Sequence, residues 1–343
     1  MRAEVALPFR RLTGGYAHEL SRRAGTPADG FGGDGHHDGG RADPARCANV
    51  DRRGGRGPPA PRTWIVQAGE ESPDHAIQGM AFLPSDIYID QGDSITWTAN
   101  SAEPHTVTFL ADQTATTPPP FDLSNDLTPT PNPVPPPLVY HSGTYYNSGL
   151  LADLSPGLPI YANYSLTFPD TRDFTYFCLL HGAMMKGTVH VHHAGARYPY
   201  SQRDYNKQAR STTNSIVRDG KALANSTRKL VDRHTVAMGA DDGTAMVMRF
   251  IRPTVVVHVG EQVTFKNLGM AAPHTVTFGT DPANPFSPPS GDPTQFSGGD
   301  LNSGIVPPNG GQFTVTFTKA GTYHYFCALH DYMGMVGTVI VKG

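Results

Sequence analysis

The sequence predicts an all-β protein: two strand-rich domains joined by a helical segment and preceded by a tail of different character. Three observations predict it. The 343 residues include 37 Gly and 31 Pro, and the apolar runs are short and rich in Val, Thr and aromatic residues, a composition of strands and turns. A pattern of more than a hundred residues occurs twice, which makes it a duplicated domain and not a solenoid unit. Between the copies, Ser201 to Val231 contains no Pro and only one Gly, Gly220, so the strand-and-turn pattern stops there.

The duplication is read residue by residue. F-L-P-S-D-I-Y-I-D-Q-G-D-S-I-T-W (Phe82 to Trp97) aligns without a gap to F-I-R-P-T-V-V-V-H-V-G-E-Q-V-T-F (Phe250 to Phe265). E-P-H-T-V-T-F from Glu103 matches A-P-H-T-V-T-F from Ala272, and Asn147-Ser148-Gly149 matches Asn302-Ser303-Gly304. T-Y-F-C-L-L-H-G-A-M-M-K-G-T-V-H-V (Thr175 to Val191) repeats Y-H-Y-F-C-A-L-H-D-Y-M-G-M-V-G-T-V-I-V, which ends at Val341.

The last of these stretches carries the chemistry. Cys327, His330, Met333 and Met335 fall within nine residues. Alternation before them puts Tyr323, Tyr325 and Cys327 on one face of a strand, and a second strand follows from Gly337. A thiolate and imidazoles with a weak thioether above them suit a trigonal copper site. Such a site needs one more imidazole. His274 supplies it, facing the same way as Val276 and Phe278 while Thr275 and Thr277 face the other way. The copy offers His105, Cys178 and His181 with Met184 and Met185. A lone C-x-x-H has little meaning; two copies, each with an upstream H-T-V and a downstream Met-x-Gly, have much more.

With these motifs the chain resembles the cupredoxins, the blue-copper family of plastocyanin, pseudoazurin and amicyanin, over residues 64–193 and 234–343. The resemblance implies two Greek-key β-sandwich domains and two coppers per chain, each held by one thiolate, two imidazoles and an axial thioether. The implied sets are His105, Cys178, His181 and Met185, and His274, Cys327, His330 and Met335. Met335-Val336-Gly337 has the family's Met-x-Gly register, which leaves Met333 flanking the site. Met185-Lys186-Gly187 matches it in the shorter first loop, with Met184 as the alternative. Where many family members have Asn after the first His, this chain has Thr106 and Thr275, whose hydroxyls can take the same supporting role.

Taken in order, residues 1–62 hold eleven Arg, no Lys and almost no periodic apolar pattern, and are expected to be a disordered tail or a misassigned leader. His36 and His37 within them could bind a metal loosely, but a disordered tail accounts for the segment better. The first domain is placed at residues 63–193, with inward pairs Ile87/Ile89 and Ile95/Trp97 and a loop from Ala111 to Tyr146 that contains nine Pro. His190 and His192 share a face at its end, read as a solvated edge with a second metal site as the alternative. Residues 194–233 form the linker, with one or two helices whose stripe of Ile216, Leu223 and Leu230 packs on a neighbouring surface. The second domain takes residues 234–343, with Val263 and Phe265 inward and His258 and His324 outward.

The net charge of −3 hides a segregation. Residues 63–196 carry 2 Lys and Arg against 13 Asp and Glu, whereas residues 197–233 carry 9 against 3. Either the basic linker docks on the acidic domain, which is the preferred reading, or that domain steers a basic redox partner. Nucleic acid is not an expected partner, because the basic residues lie on tail and linker without an aromatic platform. No run is long enough to span a membrane. Cys47 is the only third cysteine, so no disulfide framework is expected in the folded part.

The resemblance implies a soluble electron carrier of the periplasm or cell exterior. Redox proteins would dock at an apolar patch around His181 (Leu179, Leu180, Ala183, Met184) or His330 (Ala328, Leu329, Tyr332, Met333). A copper storage or transfer protein is the alternative. A two-domain copper oxidase or nitrite reductase fits less well, since such enzymes add a His beside the Cys, where this chain has Phe177 and Leu179, and Phe326 and Ala328.

Overall fold

The computed structural model describes residues 60–130 and 137–343. The readings of the tail, with His36, His37 and Cys47, lie outside the described residues. Twenty-two strands, one α-helix and one 3-10 turn make up the rest, an all-β architecture.

Each copy of the repeat folds as a Greek-key sandwich of two sheets. In the first, Thr63–Glu71 pairs in parallel with Ser94–Ala99, and Asp86–Asp90 pairs in parallel with Gly182–His192. In the second, Thr235–Asp241 pairs with Gln262–Lys266 and Thr254–His258 with Val336–Lys342 in the same sense. Period-two alternation gives the cores: Ile87, Ile89, Ile95, Trp97, Val263 and Phe265 are all buried.

The halves are not independent bodies on a tether. Ile77–Leu83 pairs antiparallel with Ala245–Ile251, so one sheet of each half joins into a single nine-stranded sheet. The pairing is Ile77 to Val247, Gln78 to Met246 and Gly79 to Ala245. Because Ile77 and Ala245 are equivalent in the repeat, this is an isologous contact with a pseudo-twofold axis at the Gln78–Met246 pair. Met246, Met248, Ala272 and Met333 of the second half belong to the first half's apolar core.

The linker forms one helix, α1 (Gln202–Thr227), opened by a capping box in which Ser201 and Asp204 satisfy each other's backbone N–H groups. It lies across the joint and packs on Ile77–Leu83, Thr235–Asp241 and Ala245–Ile251. Ile216 is buried there with Ile77, Ala237 and Val247, and Leu223 is partly buried. Leu230 differs from expectation: the helix ends at Thr227, and the side chain is 76% exposed. Among the described residues no ion pair holds α1. It docks through apolar contacts and hydrogen bonds, such as Gln202 with the Ile65 backbone and the Tyr205 hydroxyl with the Tyr88 N–H. No helix among the described residues is long and apolar enough to cross a membrane.

Candidate metal centres

Local structure sets each group of side chains. His105 is pinned by two backbone hydrogen bonds to Leu151, and His274 by two to Val306. Cys178 ends the strand Asp173–Cys178, and a short turn carries His181 before Gly182–His192 returns. In the second half Cys327 follows Gly321–Phe326, and its loop closes on itself through Cys327 N–H to Met335 O and His330 N–H to Cys327 O.

The result is two buried triangles of nearly the same size. In the first, His105 Nδ1 and His181 Nδ1 are 3.1 Å apart, with Cys178 Sγ 3.3 Å from His181 Nδ1 and 3.9 Å from His105 Nδ1. In the second, His274 Nδ1 and His330 Nδ1 are 3.1 Å apart, with Cys327 Sγ 3.4 Å from His330 Nδ1 and 3.8 Å from His274 Nδ1. These are the two groups of metal-binding character among the described residues. The centre of such a triangle lies about 2 Å from its corners, the length of a metal–imidazole bond. One soft thiolate and two imidazoles in a trigonal, water-excluded arrangement fit copper.

Supporting contacts match as well. Thr106 N–H points at Cys178 Sγ at 3.4 Å, and its Oγ1 accepts the Leu179 N–H at 2.8 Å. Thr275 does the same with Cys327 Sγ at 3.3 Å and Ala328 N–H at 2.7 Å. The two threonines thus hold their Cys loops to the histidine strands, in the supporting role expected of them. Gly69 and Gly239 lie at β-bulges with φ of 75° and 70°, and a Cβ at either would press on the ring of His105 or His274. Only glycine allows the imidazoles to sit that close to the bulge. Ser101 Oγ lies 3.1 Å from His105 Nε2, which leaves Nδ1 turned to the centre.

Within each group the donors shift one another's pKa in opposite directions. Burial pushes the Cys178 thiol up, but the charge of His181 and the hydrogen bonds from His181 and the Thr106 N–H outweigh it and bring the thiol below its usual value. Burial works against the His181 imidazolium, yet Cys178 and Glu103 push its pKa up to about 10. His105 is driven well down by burial and by the neighbouring His181 charge. Cys327, His330 and His274 shift in the same respective directions. A lowered thiol and one imidazole kept from protonation are what a metal ion requires of its donors.

The methionines differ between the halves. Met185 is buried in the core that contains Cys178, whereas Met184 is 42% exposed. Met335 is buried with Cys327, but Met333 is buried in the core of the other half. His190 is half-buried on an inner strand of its sheet and not at an edge, stacked on Tyr88 and paired with Asp173 and Asp86 of the two flanking strands, and His192 and His193 are exposed.

The docking patches expected around His181 and His330 are centred on histidines that lie below the surface. Both imidazoles are buried, at 4% and 7% exposure, and neither reaches the surface. They turn toward one another, and the Glu103 carboxylate stands between them: Oε1 is 3.4 Å from His181 Nε2, and Oε2 is 3.9 Å from His330 Nε2. Burial would neutralise this carboxylate, but contact with His181 and the charges of His330 and His181 hold it below the usual range. Beside it lies an apolar hollow of about 260 Å³ walled by Leu180, Leu329, Pro273, Phe286 and Tyr332. Sequence reasoning passed over Glu103, although E-P-H-T against A-P-H-T was a visible difference between the copies.

The family of copper binding proteins described as plastocyanin/azurin matches residues 234–342. A plastocyanin minor isoform of Arabidopsis thaliana is 33% identical over 143 residues, 41% of this chain and 72% of its own length. Plastocyanin of Solanum tuberosum is 35% identical over 107 residues, 31% of this chain and 98% of its own. Among solved structures, a Cu(I) amicyanin mutant shares 28% identity, covering 33% of this chain and 85% of its own, with a TM-score of 0.23. With its paired Cys–His triangles on strand-built sandwiches, the chain belongs to the plastocyanin/azurin family of copper-binding proteins, the cupredoxins.

Proposed function

We propose that this chain is an electron-transfer protein with one type 1 copper site in each half, passing single electrons between redox proteins. The observation that carries this reading is the pair of buried, preset triangles of one thiolate and two imidazoles. In this reading His105, Cys178, His181 and Met185 would hold the first copper, and His274, Cys327, His330 and Met335 the second. Bound copper supplies reversible exchange between Cu(I) and Cu(II). The protein's part is to hold the donors where neither oxidation state requires rearrangement: Thr106 and Thr275 lock the loops, and the bulges at Gly69 and Gly239 seat the histidines. Burial excludes water from both centres.

The domains in this reading are residues 63–193 and 234–343, with 194–233 as linker and 1–62 preceding them. Partners are redox proteins, and the mouth of the apolar hollow near Leu180 and Leu329 replaces two separate patches as the place to dock. The compartment is periplasmic or extracellular, where such carriers work. Enzymatic oxidase or reductase chemistry has little support, since Phe177, Leu179, Phe326 and Ala328 flank the cysteines where a further imidazole would stand. Copper storage is less favoured because storage needs labile, accessible donors, and these are buried.

The test is to load the full chain with Cu(II) and record copper per chain with the visible spectrum. Two coppers and an intense blue thiolate-to-copper band that bleaches with mild reductant are expected. Two coppers without the blue band would rule out the type 1 reading and favour storage.

A further inference from the structure

We propose that Glu103 joins the two metal centres into one redox unit, carrying electron exchange between them along His181, Glu103 and His330. The inference rests on the electron-transfer reading above and adds a path within the chain.

The geometry carries it. Both imidazoles turn Nδ1 toward their cysteine, so each Nε2 points away from its own centre, and both Nε2 atoms come to one carboxylate, at 3.4 and 3.9 Å. A metal-bound histidine commonly gives its outer N–H to a carboxylate, which orients the ring and tunes the metal. Here one carboxylate faces two histidines from opposite halves, close to His181 and 3.9 Å from His330. Glu103 is buried, and its Oε2, the atom on the His330 side, has no hydrogen-bond partner. A buried carboxylate oxygen without a partner is costly unless cationic or donor groups face it.

The residue is also single and held in place. Ala272 stands at the equivalent position of the second half, where another carboxylate would add a like charge to the same buried space. The Glu103 N–H donates to Gln78 Oε1 at 3.3 Å, its carbonyl accepts from Ser101 Oγ at 2.9 Å, and Gln78 Nε2 donates to Glu71 at 2.8 Å. Tyr332, next to the second histidine loop, donates its hydroxyl to the neighbouring Ala102 carbonyl at 3.3 Å. The bridge is therefore built from both halves and fixed on each side.

The step balances without other reactants. One electron leaves one centre, which goes from Cu(I) to Cu(II), and reaches the other, which goes from Cu(II) to Cu(I). No proton moves and no bond breaks.

The experiment uses the full copper-loaded chain, half reduced, with electron-exchange rates taken from NMR line broadening at several protein concentrations. Extrapolation to zero concentration isolates exchange within one chain. The expected result is a finite intercept that falls about tenfold or more in Glu103→Ala and less in Glu103→Gln, which keeps one acceptor oxygen. In the Cu(I) form the Nε2–H resonances of His181 and His330 should be protected from solvent exchange and lose that protection in Glu103→Ala. A zero intercept in the native chain, or an intercept unchanged in Glu103→Ala with both blue bands intact, would overturn the proposal. If Glu103→Ala loses copper, Glu103→Gln decides, and an unchanged intercept there overturns it. Absence of blue bands in the native chain removes the electron-transfer reading itself, and this proposal with it.

Discussion

Glu103 and Ala272 occupy the same place in the repeat, two residues before the first histidine of each half, yet only one carries a carboxylate. Glu103 faces the second histidine of both halves, and Ala272 packs into the opposite core. The duplicated chain has thus divided one position into two roles. Glu70 and Ala240, each following its bulge glycine, divide in the same way.

Burial sets Met185 apart from its neighbour Met184, and the proposed site takes its thioether as the fourth donor. Met185→Gln exchanges a soft thioether for an oxygen donor that favours Cu(II), so the potential of the first site should fall. Met184→Gln, at an exposed side chain, should leave both spectrum and potential unchanged. Voltammetry of the two variants checks this, and a potential that moves only in the Met184 variant would reverse the assignment.

Thr106→Ala removes the acceptor of the buried Leu179 N–H and should cost about 1–3 kcal/mol of stability. Copper affinity at the first site should fall roughly 10–100-fold, because the loop loses its tie to the histidine strand. Thr106→Ser keeps the hydroxyl and should restore both. Denaturation and competitive copper titration of the three proteins give the comparison.

Gly69→Ala places a methyl against the ring of His105, at a φ of 75° that disfavours other residues. The first site should lose its blue band while the second keeps its own, halving the absorbance per chain. An undiminished band would mean that the bulge yields without moving the histidine.

Glu70 is 1% exposed beneath α1, neither carboxylate oxygen has a hydrogen-bond partner, and burial raises its pKa from 4.5 to about 7, with the nearby Thr213 opposing only in part. Between those values the unfolded chain has released a proton that the folded chain retains. Stability should therefore fall as pH rises through this window and level off above it, by about 3 kcal/mol at most. Glu70→Gln should flatten that part of the profile, as measured by urea unfolding from pH 4.5 to pH 8.

The seat of α1 depends on close approach. A Cβ at Gly220 would overlap Ile77, so Gly220→Ala should destabilise the protein although alanine is the better helix former. Ile216→Ala should cost roughly 2–5 kcal/mol, and Leu230→Ala about 0.5 or less. Thermal unfolding of the three variants ranks them.

The all-β class, the duplication, the helical linker and the Cys and His donors that converge on each centre were legible in the residues alone. These follow from local signals: period-two alternation puts Cys327 and Tyr325 on one face, and a short loop brings His330 back to the same strand end. Thr106 and Thr275 were legible too, because their partners lie in the motif itself. Only the tertiary structure decided what lies between the halves. The Ile77–Val247 pairing, the burial of Met333 in the opposite core and the meeting of His181 and His330 at Glu103 join residues far apart in the chain. No periodicity records such contacts, since they depend on how two finished surfaces fit. For the same reason the burial of His181 and His330 was not legible: each loop was read as the end of a free domain.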